Sequence, residues 1–223
     1  MKYFLDSAKI DEIQYAREMW AIDGITSNPR HIRTSGKPFM TAVRDLAKEV
    51  EGSMLPVSVE VNPHHEKADA MVEEGLRLFD MCPTNFVIKL PATEAGFRAL
   101  QLLGAKDIPV NLTLVFSAAQ ALQAGRLGAR FVSPFIGWKE SNGEEVEHLI
   151  EDIVEIFDNY DFDTEILAAS LRTPMHVKQA AMAGADCATL PPAVFKELIK
   201  HPLTDKGLEQ FLADWAKTGQ SIL

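Results

Sequence analysis

Cysteine is nearly absent: the 223 residues hold two, Cys82 and Cys187, each inside an apolar stretch. Two cysteines so placed share no metal-ligand or redox spacing and build no disulfide framework. They are expected as reduced thiols, in keeping with a cytoplasmic protein. Positive charge is also short. There are 22 Lys and Arg against 32 Asp and Glu, a net charge of −10. That sign disfavours a nucleic-acid or anionic-membrane partner. No apolar run approaches the about 20 residues of a membrane-spanning helix. The opening MKYFLDSAK breaks its apolar run at Asp6, so it reads as a first strand and not an export signal. Histidine is sparse and scattered: His31, His64, His65, His148, His176 and His201. Only His64 and His65 fall together just past a strand, whereas a metal-dependent aldolase needs a histidine cluster. No metal is therefore expected, and the histidines read as surface or packing residues. Neither a Gly-x-Gly-x-x-Gly nor a Walker A sequence occurs.

What the chain does have is a steady alternation of short apolar runs and helical patterns. At this length one domain is expected, spanning 1–223. The runs are Tyr3–Ser7, Gly24–Ser27, Leu55–Val61 and Asn85–Leu90, then Pro109–Val115, Arg130–Phe135, Glu165–Ser170 and Asp186–Leu190. A helical pattern follows each one. The first runs through about Trp20; the next two cover about Pro38–Glu51, after a loop, and Glu66–Phe79. The fourth opens at Thr93, and the fifth spans Ser117–Leu127. The sixth spans about Glu145–Phe157, after a loop, and the last two Pro174–Met182 and Pro192–Lys200. Ser117 and Thr173 suit N-caps, Pro174 and Pro192 suit first helical turns, and Gly128 and Gly184 suit helix ends. Eight such units close an α/β fold, the (β/α)8 TIM barrel. A further C-terminal helix, about 205–216, is left over. Its Leu208, Phe211, Leu212 and Trp215 form one apolar stripe.

Chemistry in this fold gathers at the C-terminal ends of the strands. The polar residues expected there are Asp6, then Thr26, Ser27 and Asn28, then Glu60 and Asn62, then Lys89. Asn111 and Thr113 follow, then Ser133, then Ser170 and Arg172, then Thr189. Parallel barrel strands are covered on both faces, so these side chains need partners and can supply one another. Lys89 ends the stretch NFVIKLP. Burial disfavours an ammonium, and a neutral amine can form a Schiff base with a ketone. Asp6 and Glu60 can move protons, while the amides and hydroxyls can hold a polyhydroxylated substrate. The set suits carbon–carbon cleavage or formation beside a ketone. A non-catalytic barrel binding a sugar acid is the alternative, and it has no need of Lys89 beside two carboxylates.

Longer stretches sharpen this: FLDSAK, DGITSNP, FVIKLPAT, VNLTLVFSAAQA, GARFVSPFIG, ILAASLRTPMHV and ATLPPAVFKELIKHPLTDKGLEQFLADW. Over essentially its whole length the chain resembles the small transaldolase and fructose-6-phosphate aldolase family. The resemblance implies a class I, Schiff-base mechanism without cofactor. It also implies a ring-shaped homo-oligomer, commonly a decamer of two pentamers, with the last helix against a neighbouring subunit. It implies Lys89 as the Schiff-base lysine and Asp6 as the acid/base at the C4 hydroxyl. Glu60 and Thr113 would hold the catalytic water. Asn28, Asn111 and Ser133 would bind the dihydroxyacetone hydroxyls, and Ser170 and Arg172 the distal anion. Within the family, glutamate at Glu60 and phenylalanine at Phe135 mark transaldolases; glutamine and tyrosine mark aldolases.

Two positions depart from the family pattern. SPFIGW puts Trp138 where the family has a phosphate-binding arginine, and TSNPRHI puts Arg30 at the mouth in place of a small residue. Lys139 or Arg30 could substitute for the lost guanidinium. A changed terminal anion is the sharper expectation. A sulfonate carries one charge and no ionisable hydroxyl, so it needs fewer cations than a phosphate monoester. This resembles the branch that moves dihydroxyacetone from 6-deoxy-6-sulfofructose to glyceraldehyde 3-phosphate. An ordinary sugar-phosphate transaldolase or a fructose-6-phosphate aldolase is the alternative.

Overall fold

The computed structural model describes residues 1–218. Its strands are β1 (Lys2–Asp6), β2 (Gly24–Thr26), β3 (Val57–Glu60), β4 (Phe86–Pro91), β5 (Val110–Val115), β6 (Phe131–Pro134), β7 (Glu165–Ala168) and β8 (Cys187–Leu190). They pair in parallel, in chain order, and β8 closes on β1, giving the (β/α)8 barrel. The helices begin with α1 (Ile10–Trp20), α2 (Pro29–Thr34), α3 (Phe39–Val50) and α4 (Ala68–Phe79). They continue with α5 (Glu94–Gly104), α6 (Ala118–Arg126), α7 (Ile136–Ser141) and α8 (Leu149–Tyr160), then α9 (Pro174–Met182), α10 (Pro192–Leu198) and α11 (Pro202–Lys217). No helix among the described residues is long and apolar enough to cross a membrane.

Local chemistry sets the helix ends. The hydroxyls of Thr93, Ser117 and Thr173 accept from Gly96, Gln120 and His176 backbone N–H groups, each satisfying a first-turn donor. Gly128 (φ 72°) and Gly184 (φ 91°) turn the chain left-handed after α6 and α9, as helix ends require.

Two stretches expected as loops carry short helices. α2 forms because the Asn28 side chain accepts from His31 N–H, with Pro29 opening the helix. α7 occupies the start of the sixth loop, so α8 begins at Leu149 and not at Glu145. Asn62 lies beyond the end of β3, where its own N–H donates to Glu74 Oε2 at 2.7 Å. The last helix starts at Pro202, before the expected Asp205.

The barrel interior is layered. Phe4, Val87, Phe131, Leu167 and Cys187 come from five strands and form an apolar cluster separate from the outer core. Gly24 completes this layer, since a Cβ there would sit 2.3 Å from the Phe4 ring. Burying each large apolar side chain contributes about 1.5–3 kcal/mol. Two residues further along the same strands the side chains become polar: Asp6, Thr26, Lys89, Ser133 and Thr189. A strand repeats its facing every second residue, so the polar layer stands directly on the apolar one.

Candidate active site

The polar layer is the base of a cavity of about 860 Å³ at the C-terminal end of the barrel. That volume suits a sugar-sized ligand. Parallel register places Glu60 beside Lys89 and Lys89 beside Asn111. Lys89 is 4% exposed. Its Nζ lies 3.4 Å from Glu60 Oε2 and donates to the Ser27 carbonyl at 3.3 Å.

Asp6 is held at both oxygens. Thr26 donates to Oδ1 at 2.8 Å, and His31 Nε2 stands 3.0 Å from Oδ2. The Thr26 and Thr189 hydroxyls are 2.6 Å apart. Thr26 has one hydroxyl proton and spends it on Asp6, so Thr189 is the donor to Thr26. Burial pushes the Asp6 carboxyl up. The His31 hydrogen bond and charge, the Lys89 charge and the Thr26 hydroxyl outweigh it and hold Asp6 below the ordinary carboxylate value.

Besides Asn62, three residues expected at the site lie outside the cavity lining. Ser27 turns its hydroxyl onto the Ser58 carbonyl at 2.9 Å. Asn111 is fully buried beneath the cavity; it accepts from Ser133 at 2.8 Å and donates to Ser58 Oγ at 3.0 Å. Thr113 is buried beside a register shift in β5, and the next residue, Leu114 (φ 57°), borders the cavity instead. The Thr113 hydroxyl is the one buried side-chain polar atom without a partner among the described residues.

Phe135, Trp138, Ser170 and Arg172 line the far wall. Phe116, Phe135 and Trp138 form an aromatic trio with centroid spacings of 5.8, 5.9 and 6.0 Å. α7 lies tight on the chain after β7. A Cβ at Gly137 would fall 2.3 Å from the Ser170 carbonyl, which Gly137 N–H bonds at 3.1 Å. Ser170 takes φ 58°, a strained value for a non-glycine residue.

Buried His176 secures the same segment. Its Nδ1 accepts from Arg172 N–H at 3.2 Å, so its Nε2 carries the proton facing Glu140 Oε2 at 2.9 Å. Arg172 Nη1 in turn donates to the Ser141 hydroxyl.

Asn28 and Arg30 line the wall formed by α2. Lys139, one of the two expected replacements for the lost guanidinium, is committed to Glu144 at 2.7 Å and does not border the cavity. That leaves Arg30 and Arg172 as the arginines of the lining.

His31 corrects the reading of the histidines. It is a cavity residue on a carboxylate, carried to Asp6 by the short helix α2 that follows β2. His65 pairs with Glu74 at 2.9 Å, outside the cavity. Glu145, Glu147 and His148 bring ligand atoms together on an exposed surface, also away from the cavity.

Residues 3–222 match the family described as Transaldolase/Fructose-6-phosphate aldolase. A protein of Priestia megaterium named 6-deoxy-6-sulfo-D-fructose transaldolase is 50% identical over 219 residues, 98% of this chain and 96% of that one. A probable transaldolase of Phenylobacterium zucineum is 50% identical over 223 residues, the full length of both. Another, from Caulobacter vibrioides, is 48% identical over 223 residues, again all of both. With the closed barrel and a cavity at its strand ends, these matches place the chain in the transaldolase/fructose-6-phosphate aldolase family, as an enzyme of the transaldolase type.

Proposed function

We propose that the chain is a class I, Schiff-base transaldolase whose donor is 6-deoxy-6-sulfofructose. The observation that carries the mechanism is Lys89 Nζ at the base of the cavity, 3.4 Å from the Glu60 carboxylate. Lys89 attacks the donor ketone, and Glu60 passes the protons that let the carbinolamine lose water. Thr113, which the family resemblance pairs with Glu60 around that water, is buried outside the cavity lining, and its hydroxyl has no partner among the described residues. Asp6 then takes the proton of the C4 hydroxyl. The C3–C4 bond breaks, its electron pair enters the iminium, and sulfolactaldehyde leaves. The resulting enamine attacks the carbonyl carbon of glyceraldehyde 3-phosphate. Asp6 returns a proton to the new alkoxide, and hydrolysis releases fructose 6-phosphate. Phe135 has no hydroxyl with which to protonate the enamine, which favours transfer over release of free dihydroxyacetone.

The donor reading rests on two walls. Arg30 on the α2 wall and Arg172 on the far wall supply the guanidinium groups, Lys139 is occupied, and Trp138 offers an indole in place of a cation. A singly charged sulfonate suits that set, and Arg172 can serve donor and acceptor anions in turn. The Priestia relative's name agrees with it. The test is kcat/KM for sulfofructose and fructose 6-phosphate in the parent and three variants. Trp138→Arg should favour the phosphate, Arg30→Ala should weaken the sulfonate, and Arg172→Ala should hurt both. A charge-assisted hydrogen bond is worth roughly 1.5–3 kcal/mol, so each change is tenfold or more. A parent that prefers fructose 6-phosphate, with a ratio unmoved by Trp138→Arg, would mark an ordinary sugar-phosphate transaldolase.

The assembly proposed is a homo-oligomer, a decamer of two pentamers, with α11 lying on a neighbouring subunit. α11 buries no residue, and Leu208, Phe211 and Leu212 are 58%, 73% and 61% exposed. Such a stripe is costly to leave in water. A chain ending at Asp205 should show a lower mass by light scattering; an unchanged mass contradicts the proposal.

A further inference from the structure

We propose that His31 is the proton-holding partner of Asp6: the proton taken from the donor's hydroxyl rests on the Asp6–His31 pair while one aldehyde leaves and the next arrives. The inference rests on the transaldolase reading above and extends it to a residue outside the expected catalytic set. Transfer imposes a storage problem. When the C3–C4 bond breaks, the departing aldehyde leaves its hydroxyl proton behind on the enzyme. When the acceptor is attacked, its carbonyl oxygen becomes an alkoxide and needs one proton. The two events are separated by an exchange of ligands in a cavity open to water. Between them the pair must carry one extra proton, and it must give that proton back.

The geometry around Asp6 suits this. Its two oxygens have different partners. Oδ1 is fixed by the Thr26 hydroxyl at 2.8 Å, and Thr26 is fixed by Thr189 at 2.6 Å. Neither hydroxyl can take up a proton near neutral pH. Oδ2 faces His31 Nε2 at 3.0 Å, and an imidazole is the ordinary side chain that does so. His31 itself is held in place: its backbone N–H donates to the Asn28 side chain at 3.0 Å, in the first turn of α2. Both side chains remain about one-fifth exposed and border the cavity. The charges held around Asp6 keep its carboxyl below the ordinary value, and His31 Nε2 is a basic nitrogen in direct contact with it.

Several walls bring charged groups to the cavity that the pair borders. Lys89 and Glu60 stand on β4 and β3, Lys9 and Glu12 at the start of α1, Arg30 on α2, and Arg172 after β7. Lys9 and Glu12 pair with each other at 3.1 Å, and Lys89 stands 3.4 Å from Glu60. β8 and the start of α10 offer only Thr189 and apolar residues to the lining. His31→Gln isolates the Asp6–His31 pair from these groups, because it removes the basic nitrogen facing Asp6 and leaves both ion pairs in place.

The test compares the full-length parent with His31→Gln and His31→Ala, using fructose 6-phosphate as donor and erythrose 4-phosphate as acceptor, a pair whose products (glyceraldehyde 3-phosphate and sedoheptulose 7-phosphate) differ from its reactants. Glutamine keeps a hydrogen-bond donor for Asp6 and has no basic nitrogen. In the parent, the acidic limb of kcat/KM should fall in the imidazole range. In His31→Gln it should move down toward the carboxylate range, by about two pH units from the ordinary values. The neutral-pH rate should drop about tenfold or more, since general acid–base groups contribute about 10²–10⁴-fold. His31→Ala should show the same displaced limb. Borohydride trapping of the parent and of both variants is measured alongside. Trapping in all three with a displaced limb supports the proposal. Trapping in all three with an unmoved limb overturns it and leaves the Schiff-base reading standing. No trapping even in the parent overturns the Schiff-base reading instead.

Discussion

The two layers inside the barrel are built from the same strands and differ by one step of two residues. Phe4 gives way to Asp6, Val87 to Lys89, Phe131 to Ser133, and Cys187 to Thr189. The lower layer is dry and apolar. It stabilises the barrel without contributing a polar group. The upper layer holds the Lys89 amino group, carboxylates and hydroxyls that contact one another and leave room for a ligand. A polar group removed from water must find partners, and a rigid floor fixes where those partners stand. The contrast teaches that the floor fixes where the side chains of the layer above stand, and the proposed function places the chemistry in that upper layer.

The carboxylates make the same point from end to end. At the N-terminal end of the barrel, Asp23 and Asp186 accept the backbone N–H groups of Tyr3 and Ile166, each at 2.7 Å. They fasten the barrel. At the other end, Asp6 and Glu60 contact side chains that can change their protonation or their ligand. Backbone partners tie Asp23 and Asp186 to the strands, whereas Asp6 and Glu60 border the cavity at the strand ends.

The largest expected effect on the comparison comes from breaking the floor. Phe4→Ala should lower stability by about 3–5 kcal/mol, read by denaturant unfolding, because it empties the centre of the apolar layer. Lys89 should still be trapped by borohydride with a ketose donor in whatever fraction stays folded. A loss below about 1 kcal/mol would show that the layer is not a packed floor.

A smaller effect sharpens the upper layer. The Asp6 carboxyl is held below its ordinary value, so it adds stability above its unfolded value, about 3.9. That contribution is lost as pH falls through the lower folded value. Asp6→Asn should therefore destabilise the protein at pH 7, by about 1–3 kcal/mol for the weakened hydrogen bonds, and much less in strong acid. Equal destabilisation at both pH values would contradict the assigned direction.

Much of the barrel was legible because each of its strands is a short apolar run and each following helix has its own period. Boundaries moved where a local contact decided them. α2 depends on the Asn28 cap, and α7 on the fit of Gly137 against Ser170, which lies 33 positions away in the chain. Of the expected site residues, those from Asp6 to Arg172 that border the cavity share the upper layer or its rim. Ser27, Asn111 and Thr113 do not, because alternation predicts which way a side chain faces and not how deep it lies. His31, His176 and Phe116 were missed for a related reason. Their importance lies in contacts to Asp6, to Arg172 and to Trp138, partners that no spacing in the chain reveals. For His31, the cue that was present is its place three residues after a helix-capping Asn28 at a strand end.

The most direct test of the account is covalent. The parent and Lys89→Ala are incubated with sulfofructose or fructose 6-phosphate, reduced with borohydride, and weighed intact by mass spectrometry. The parent should gain the mass of one reduced ketose or dihydroxyacetone unit per chain. Lys89→Ala should gain none, should lose transaldolase activity, and should keep the circular dichroism of a folded barrel. Mass gain in a folded Lys89→Ala chain would contradict the account, because the covalent bond would then form somewhere other than the base of the cavity.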